Sequence, residues 1–189
     1  DRVEIFQLGQ SFEQRDMLII AIAEPEHLQN IDTYKSYLNE LSDPRVTDRD
    51  AAESIIEQAL PIFWMTAGLH SPELGPPEMV MELAYRLAVE TREPFASIRD
   101  NVITLITPVF DVDGRTRQVD WYKRNIAGHT DYFDMPPRSV PFWGHYTYHD
   151  NNRDGISISQ PITQNYVNGV YEWKPTVSLD LHESVPLLY

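Results

Sequence analysis

Two short runs hold most of the residues in this chain that could do chemistry. In Gly68-Leu-His70-Ser-Pro-Glu73 an imidazole and a carboxylate stand three residues apart in a turn, a spacing that lets both converge on one divalent ion such as zinc. In Leu179-Asp-Leu-His182-Glu183 a second imidazole follows a short apolar run. A third polar stretch, Asp111-Val-Asp113-Gly114, comes after another such run. If the three apolar runs are parallel strands, their ends meet on one sheet edge, where open α/β sheets place their ligands. His70, Glu73 and His182 then make a His, Glu, His set of the kind that holds catalytic zinc and leaves one position for water. The chain has no cysteine, so thiol catalysis, disulfides and cysteine-bound zinc are excluded, and histidine and carboxylate remain as the strong ligands.

The elements that must position these residues follow from periodicity and punctuation. Ile62 to Ala67, between Pro61 and Gly68, reads as a buried strand, as do Asn101 to Thr107 before Pro108 and Pro175 to His182. Val3 to Leu8 and Met17 to Ala23, flanking a polar turn, read as a hairpin. Helices are expected over Glu26 to Leu41, over Asp50 to Leu60 with a stripe of Ala51, Ile55, Ile56 and Ala59, and from Pro76-Pro77 through Ala88. A last one is expected over Gln160 to Trp173, with Pro161 in its first turn. The stretch 109–159 is aromatic and polar without sustained periodicity and reads as an ordered, functional loop region. Strands alternating with helices give a mixed, mostly parallel α/β sheet flanked by helices.

With 189 residues the chain is long enough for one domain with a sizeable core. Its net charge of −14 and pI near 4.7 exclude nucleic acid or an anionic membrane surface as the main partner, because phosphates are repelled. No apolar run reaches the length of a membrane span, and Asp1-Arg-Val-Glu4 does not resemble a signal peptide.

Taken in order, the motifs resemble those of the zinc carboxypeptidases of the carboxypeptidase A type, through essentially the whole chain. Leu8-Gly9-Gln-Ser11-Phe-Glu-Gln-Arg15 is similar to that family's opening Ile-Gly-x-Ser-x-Glu-Gly-Arg, and Gly68 to Glu73 to its paired-ligand motif. Asp111 to Gly114 is similar to its Asn-Pro-Asp-Gly turn, and Asp150-Asn-Asn152-Arg153-Asp154 to its Asp-x-Asn-Arg segment. Leu179 to His182 looks like the strand bearing the last histidine ligand, and His149 to Asp154 most resembles large bacterial members.

The resemblance implies an α/β/α zinc-carboxypeptidase fold, with residues 1–189 as a single, truncated catalytic domain, incomplete at its C-terminus. It implies one zinc ion on His70, Glu73 and His182. It makes Asn152 and Arg153 the clamp for the free C-terminal carboxylate of a peptide substrate, a role that suits a guanidinium fork beside a neutral donor. Asp150 corresponds to the aspartate behind the first histidine ligand, where a carboxylate fixes the imidazole tautomer. The resemblance also implies a secreted or periplasmic protein, no insertion of this segment in a membrane, and zinc-dependent release of C-terminal amino acids.

The chain departs from the pattern in three places. Pro72 stands where many members carry arginine, and Trp121 is followed by Tyr122-Lys123-Arg124, so that Lys123 or Arg124 takes the oxyanion-stabilising position. The family's general-base glutamate is expected beyond Tyr189, which makes these residues alone an inactive piece of an active parent. Glu183 reads as an exposed strand-end residue, and His129, His145 and His149 as hydrogen-bonded packing residues. A hydrolase of the same fold acting on acylated amino acids or cell-wall peptides is the alternative within enzymes. A catalytically inactive peptide- or glycan-binding domain is the alternative outside them.

Overall fold

The computed structural model describes residues 1–131 and 149–183. β1 (Val3–Gln10) and β2 (Asp16–Ile22) form the expected antiparallel hairpin. β3 (Ile62–Ala67), β4 (Ile103–Thr107) and β5 (Val177–Leu181) extend it to a five-stranded sheet of order β1-β2-β4-β3-β5. β4 is antiparallel to β2, whereas β3 runs parallel to both β4 and β5. The carboxyl ends of β3, β4 and β5 therefore share one edge, and the β1–β2 turn comes round to the same edge.

Around the sheet lie α1 (Pro25–Gln29), α2 (Ile31–Leu41), α3 (Arg49–Ile56), α4 (Gly75–Val89), α5 (Phe95–Asn101), α6 (Val112–Asn125) and α7 (Pro161–Trp173). Successive strand residues point to opposite faces, so each central strand feeds two cores. Trp64 and Leu105 join Ile19, Ala21 and Trp173 on the face covered by α7 and α2. Met65 and Ile106 join Ile22, Val80, Ala84 and Leu87 on the face covered by α4. Each buried Leu, Ile, Val or Met among them contributes roughly 1.5–3 kcal/mol by leaving water. Helix α7 approaches closely because of Gly169, where a Cβ would stand 2.7 Å from both Leu8 Cδ1 and Trp64 Cη2.

Several elements differ from the sequence expectation. The helix expected over Glu26 to Leu41 is two, broken at Asn30, whose side chain donates to the Glu26 carbonyl (2.8 Å) instead of continuing the helix. The expected stripe of α3 is not a buried one, since Ile56 is 62% exposed and Ala51 is also exposed. β5 is a strand but not a buried one: it takes the edge beside β3, with Val177 and Leu179 both largely exposed. α5 and α6 are helices the sequence did not announce.

α6 lies inside the stretch that reads as loop because it has no apolar stripe, and its buried residues are Asp113 and Gly114. Polar contacts hold it instead. Asp111 caps it by accepting from the Gly114 amide (2.9 Å). Asp113 accepts from Ser11 Oγ (2.7 Å), the Glu13 amide (3.0 Å) and Arg15 Nη1 (2.6 Å) in the β1–β2 turn. Arg115 pairs with Glu78 and Arg117 with Glu13.

Candidate metal centre and carboxylate-binding turn

The end of β3 is shaped by Gly68, whose φ of +66° suits a residue without a Cβ; an added one would meet Pro77 at 3.0 Å. The chain turns there, and the Glu73 amide donates to the His70 carbonyl (3.1 Å), closing the turn between the two candidate ligands. His70 Nδ1 lies 2.8 Å from Glu73 Oε1, and His182 Nδ1, just past the end of β5, lies 3.0 Å from Glu73 Oε2. One ligand-type atom from each of His70, Glu73 and His182 falls within 4.8 Å of the others. Parallel pairing of β3 and β5, with Ala67 opposite Leu181, brings residues 109 apart in sequence onto one carboxylate.

Each imidazole also has a carboxylate at its other nitrogen. His70 Nε2 stands 3.0 Å from Asp150 Oδ1, and His182 Nε2 stands 2.6 Å from Asp180 Oδ2. A carboxylate that accepts an Nε2 proton leaves Nδ1 with its lone pair turned toward Glu73. Two imidazole nitrogens and a carboxylate arranged this way are the donor types and number that fit zinc with one position open.

Asp150 links this cluster to the carboxylate-binding candidates. Its Oδ1 also accepts from the Asn152 amide (2.8 Å), capping a 3-10 turn over Asn151–Arg153. Burial works against ionisation of Asp150, but hydrogen bonds from His70 and the Asn152 amide, with the charge of Arg153 nearby, hold its carboxyl below the ordinary value. Asn151, buried and passed over by the sequence reading, donates from Nδ2 to the Leu69 carbonyl (2.5 Å) and ties the turn to the end of β3.

Asn152 and Arg153 are exposed on this turn, and among the described residues Arg153 forms no ion pair. Their far side is braced by the fully buried Asp154, which accepts from Ser159 Oγ (2.5 Å) and the Gln160 amide (2.8 Å), with His149 Nε2 at 3.0 Å. Burial of Asp154 is outweighed by these bonds, and its carboxyl lies well below the usual range. A cavity of about 170 Å³ opens beside the turn, lined by Leu69, Phe110, Asn152, Tyr166 and Asp180 among others.

The other candidates are mostly exposed. Lys123 and Arg124 occupy the exposed last turn of α6, where Arg124 Nε donates to the Asp120 carbonyl (3.1 Å). Glu183 is exposed; its amide donates to Glu73 Oε2 (3.0 Å), while its carboxylate lies against Gly75 at the start of α4. Pro72 is exposed in the turn before Glu73, and His149 packs on Asp154 as a hydrogen-bonded residue. His145 lies outside the described residues. Neither Asp180, in the polar run at the end of its strand, nor its partner Thr66 is given a role by the sequence. The signal for Asp180 was available, because side chains two apart at a strand end share a face.

The zinc carboxypeptidase family model matches residues 1–185 of this chain. No curated protein matches it. A metallo-carboxypeptidase from Burkholderia cenocepacia has a similar fold, with 16% identity and a TM-score of 0.60 over 97% of this chain and 37% of its own. Carboxypeptidase A from Helicoverpa armigera is similar at 16% identity and a TM-score of 0.58, over 97% of this chain and 41% of its own. A metallo-carboxypeptidase from Pseudomonas aeruginosa, solved with (2-guanidinoethylmercapto)succinic acid, gives 14% identity and a TM-score of 0.55, over 97% and 35%. The chain thus spans well under half the length of these relatives and shares their fold. By fold and by family model, the chain belongs to the zinc carboxypeptidases.

Proposed function

We propose that this chain forms the metal-binding and carboxylate-recognising part of a peptidase that releases C-terminal amino acids from peptides. The observation that carries the reading is the approach of His70 Nδ1 and His182 Nδ1 to the two oxygens of Glu73. One zinc ion would be held by these three residues, and when bound it supplies Lewis acidity at a scissile carbonyl and lowers the pKa of water. The residues of the chain do the remaining work. Asp150 keeps His70 oriented, while Arg153 with Asn152 receives the substrate's terminal carboxylate, so the last peptide bond is the one presented to the metal centre. The Pseudomonas aeruginosa relative was solved with a ligand bearing carboxylates, which fits such a clamp.

The oxyanion-stabilising cation belongs, on this reading, to Lys123 or Arg124. A secreted or periplasmic location accompanies the reading through family resemblance, and fractionation of the native host tests it. Among the described residues no helix is long and apolar enough to cross a membrane.

The test is to purify the full-length protein, measure bound zinc, and follow amino-acid release from peptides with free and amidated C-termini. Release confined to free termini, abolished by a chelator and restored by zinc, is the expected result. Tight zinc without any such release would favour hydrolysis of acylated amino acids or a binding role, and no zinc at all would overturn the reading.

A further inference from the structure

We infer that Asp180 is the positioning residue for His182, held in place by Thr66, so that each histidine of the metal centre has its own carboxylate behind it. This rests on the zinc reading above and extends it to residues outside the expected ligand and clamp set.

The inference starts from strand geometry. Asp180 and His182 are two apart at the end of β5, so their side chains leave the strand on the same face. Asp180 Oδ2 lies 2.6 Å from His182 Nε2. Across the parallel pair, Thr66 on β3 is the register partner of Asp180, and its hydroxyl donates to Asp180 Oδ1 (2.7 Å). Thr66 is 3% exposed, so this hydroxyl is a fixed donor within the sheet. One oxygen of Asp180 thus anchors to the sheet, and the other faces the imidazole.

Asp180 also borders the 170 Å³ cavity beside Asn152, which raises a rival role as receptor for a basic substrate side chain. Its hydrogen bonding argues for the positioning role: both oxygens are engaged by protein groups, whereas a receptor carboxylate keeps one facing the cavity. The arrangement repeats that of Asp150 and His70, where Nε2 faces a carboxylate and Nδ1 faces Glu73. Asp150 is anchored within its own turn and Asp180 across strands, so the two supports are independent. A carboxylate behind a ligating imidazole sets the tautomer and raises the basicity of the coordinating nitrogen; losing one typically weakens metal binding about 10- to 100-fold.

The experiment compares the full-length protein with Asp180→Asn, Asp180→Ala, Thr66→Val and Thr66→Ser by competition of each against a chromophoric zinc chelator. Melting of the metal-free forms is recorded alongside, as are spectra of the cobalt-substituted forms. Expected are zinc affinities weakened roughly 10- to 100-fold in the Asp180 variants, with shifted cobalt bands and metal-free melting temperatures close to the parent's. A smaller loss is expected in Thr66→Val and near-parental affinity in Thr66→Ser. Parental zinc affinity in both Asp180 variants would overturn the inference while leaving the zinc centre standing. So would a raised KM confined to substrates ending in lysine or arginine, which would make Asp180 a receptor. An unmutated protein that binds no zinc would remove the centre itself.

Discussion

The rings of His70 and His182 stand 4.8 Å apart, tilted by 58°, and each turns Nδ1 to a different oxygen of Glu73. Glu73 is the shared point, so replacing it disturbs both imidazoles at once. Glu73→Gln is expected to reduce zinc from about one per chain to near none at micromolar protein, a loss exceeding the roughly 100-fold ceiling for an outer partner. His70→Ala should behave alike. Metal analysis after dialysis checks both, and retention of a full equivalent by either variant would show that the ion sits elsewhere.

Arg153 projects from a turn whose cap, Asp150, also contacts His70. A lysine there keeps the charge and loses the planar fork. Arg153→Lys is therefore expected to raise KM for peptides with free C-termini about 10- to 100-fold, the worth of a charge-assisted bond, while zinc content stays at the parent's level. Steady-state kinetics on matched free and amidated peptides decide the matter; equal cleavage of the two by the unmutated protein would reject the clamp.

Asp154 has no exposed surface, and its depressed pKa sets the sign of a pH effect. A carboxyl whose folded pKa lies below its unfolded one stabilises the fold at pH values above the unfolded pKa, and that stability is lost as pH falls below it. Asp154→Ala leaves the Gln160 amide and the Ser159 hydroxyl without their acceptor. It should cost about 2–4 kcal/mol near neutrality and much less toward pH 2. Denaturant unfolding at pH 7 and pH 2 would expose a pH-independent cost, which would point to packing in place of charge.

Asp111 has the opposite sign. Its carboxyl is 4% exposed and pushed up to about 7 by burial, with the nearby charge of Asp113 adding to the rise and the Gly114 amide opposing it; Oδ2 has no donor among the described residues. The folded state therefore holds this proton more tightly than the unfolded chain, and stability declines as pH rises from about 4 to about 7. Asp111→Asn keeps an acceptor for the Gly114 amide and removes the buried charge. The variant should be more stable than the parent at pH 8, by up to roughly 4 kcal/mol, and nearly equal to it at pH 4. Equal gains at both pH values would sink the argument.

The sequence by itself determined what is local. Ile62 to Ala67 and the run before Pro108 form the β3 and β4 strands because short apolar runs between turn-formers have few other stable conformations. Pro76-Pro77 and Pro161 fall in the first turns of α4 and α7, where a missing amide proton costs nothing. The residue types able to bind metal were equally legible, and so was their placement at strand ends. The meeting of His70, Glu73, His182 and Asp150 was implied by the family resemblance; tertiary structure alone decided that Asp180 meets Thr66, 114 residues away, and stands behind His182, because such contacts depend on strand order and register. The same holds for β5, whose alternating apolar residues suit an edge as well as a centre, and for α6, which is anchored by ion pairs to another element's turn and so leaves no apolar periodicity to read. Periodicity reports how a segment meets a core; it cannot report which distant carboxylate will stand behind an imidazole.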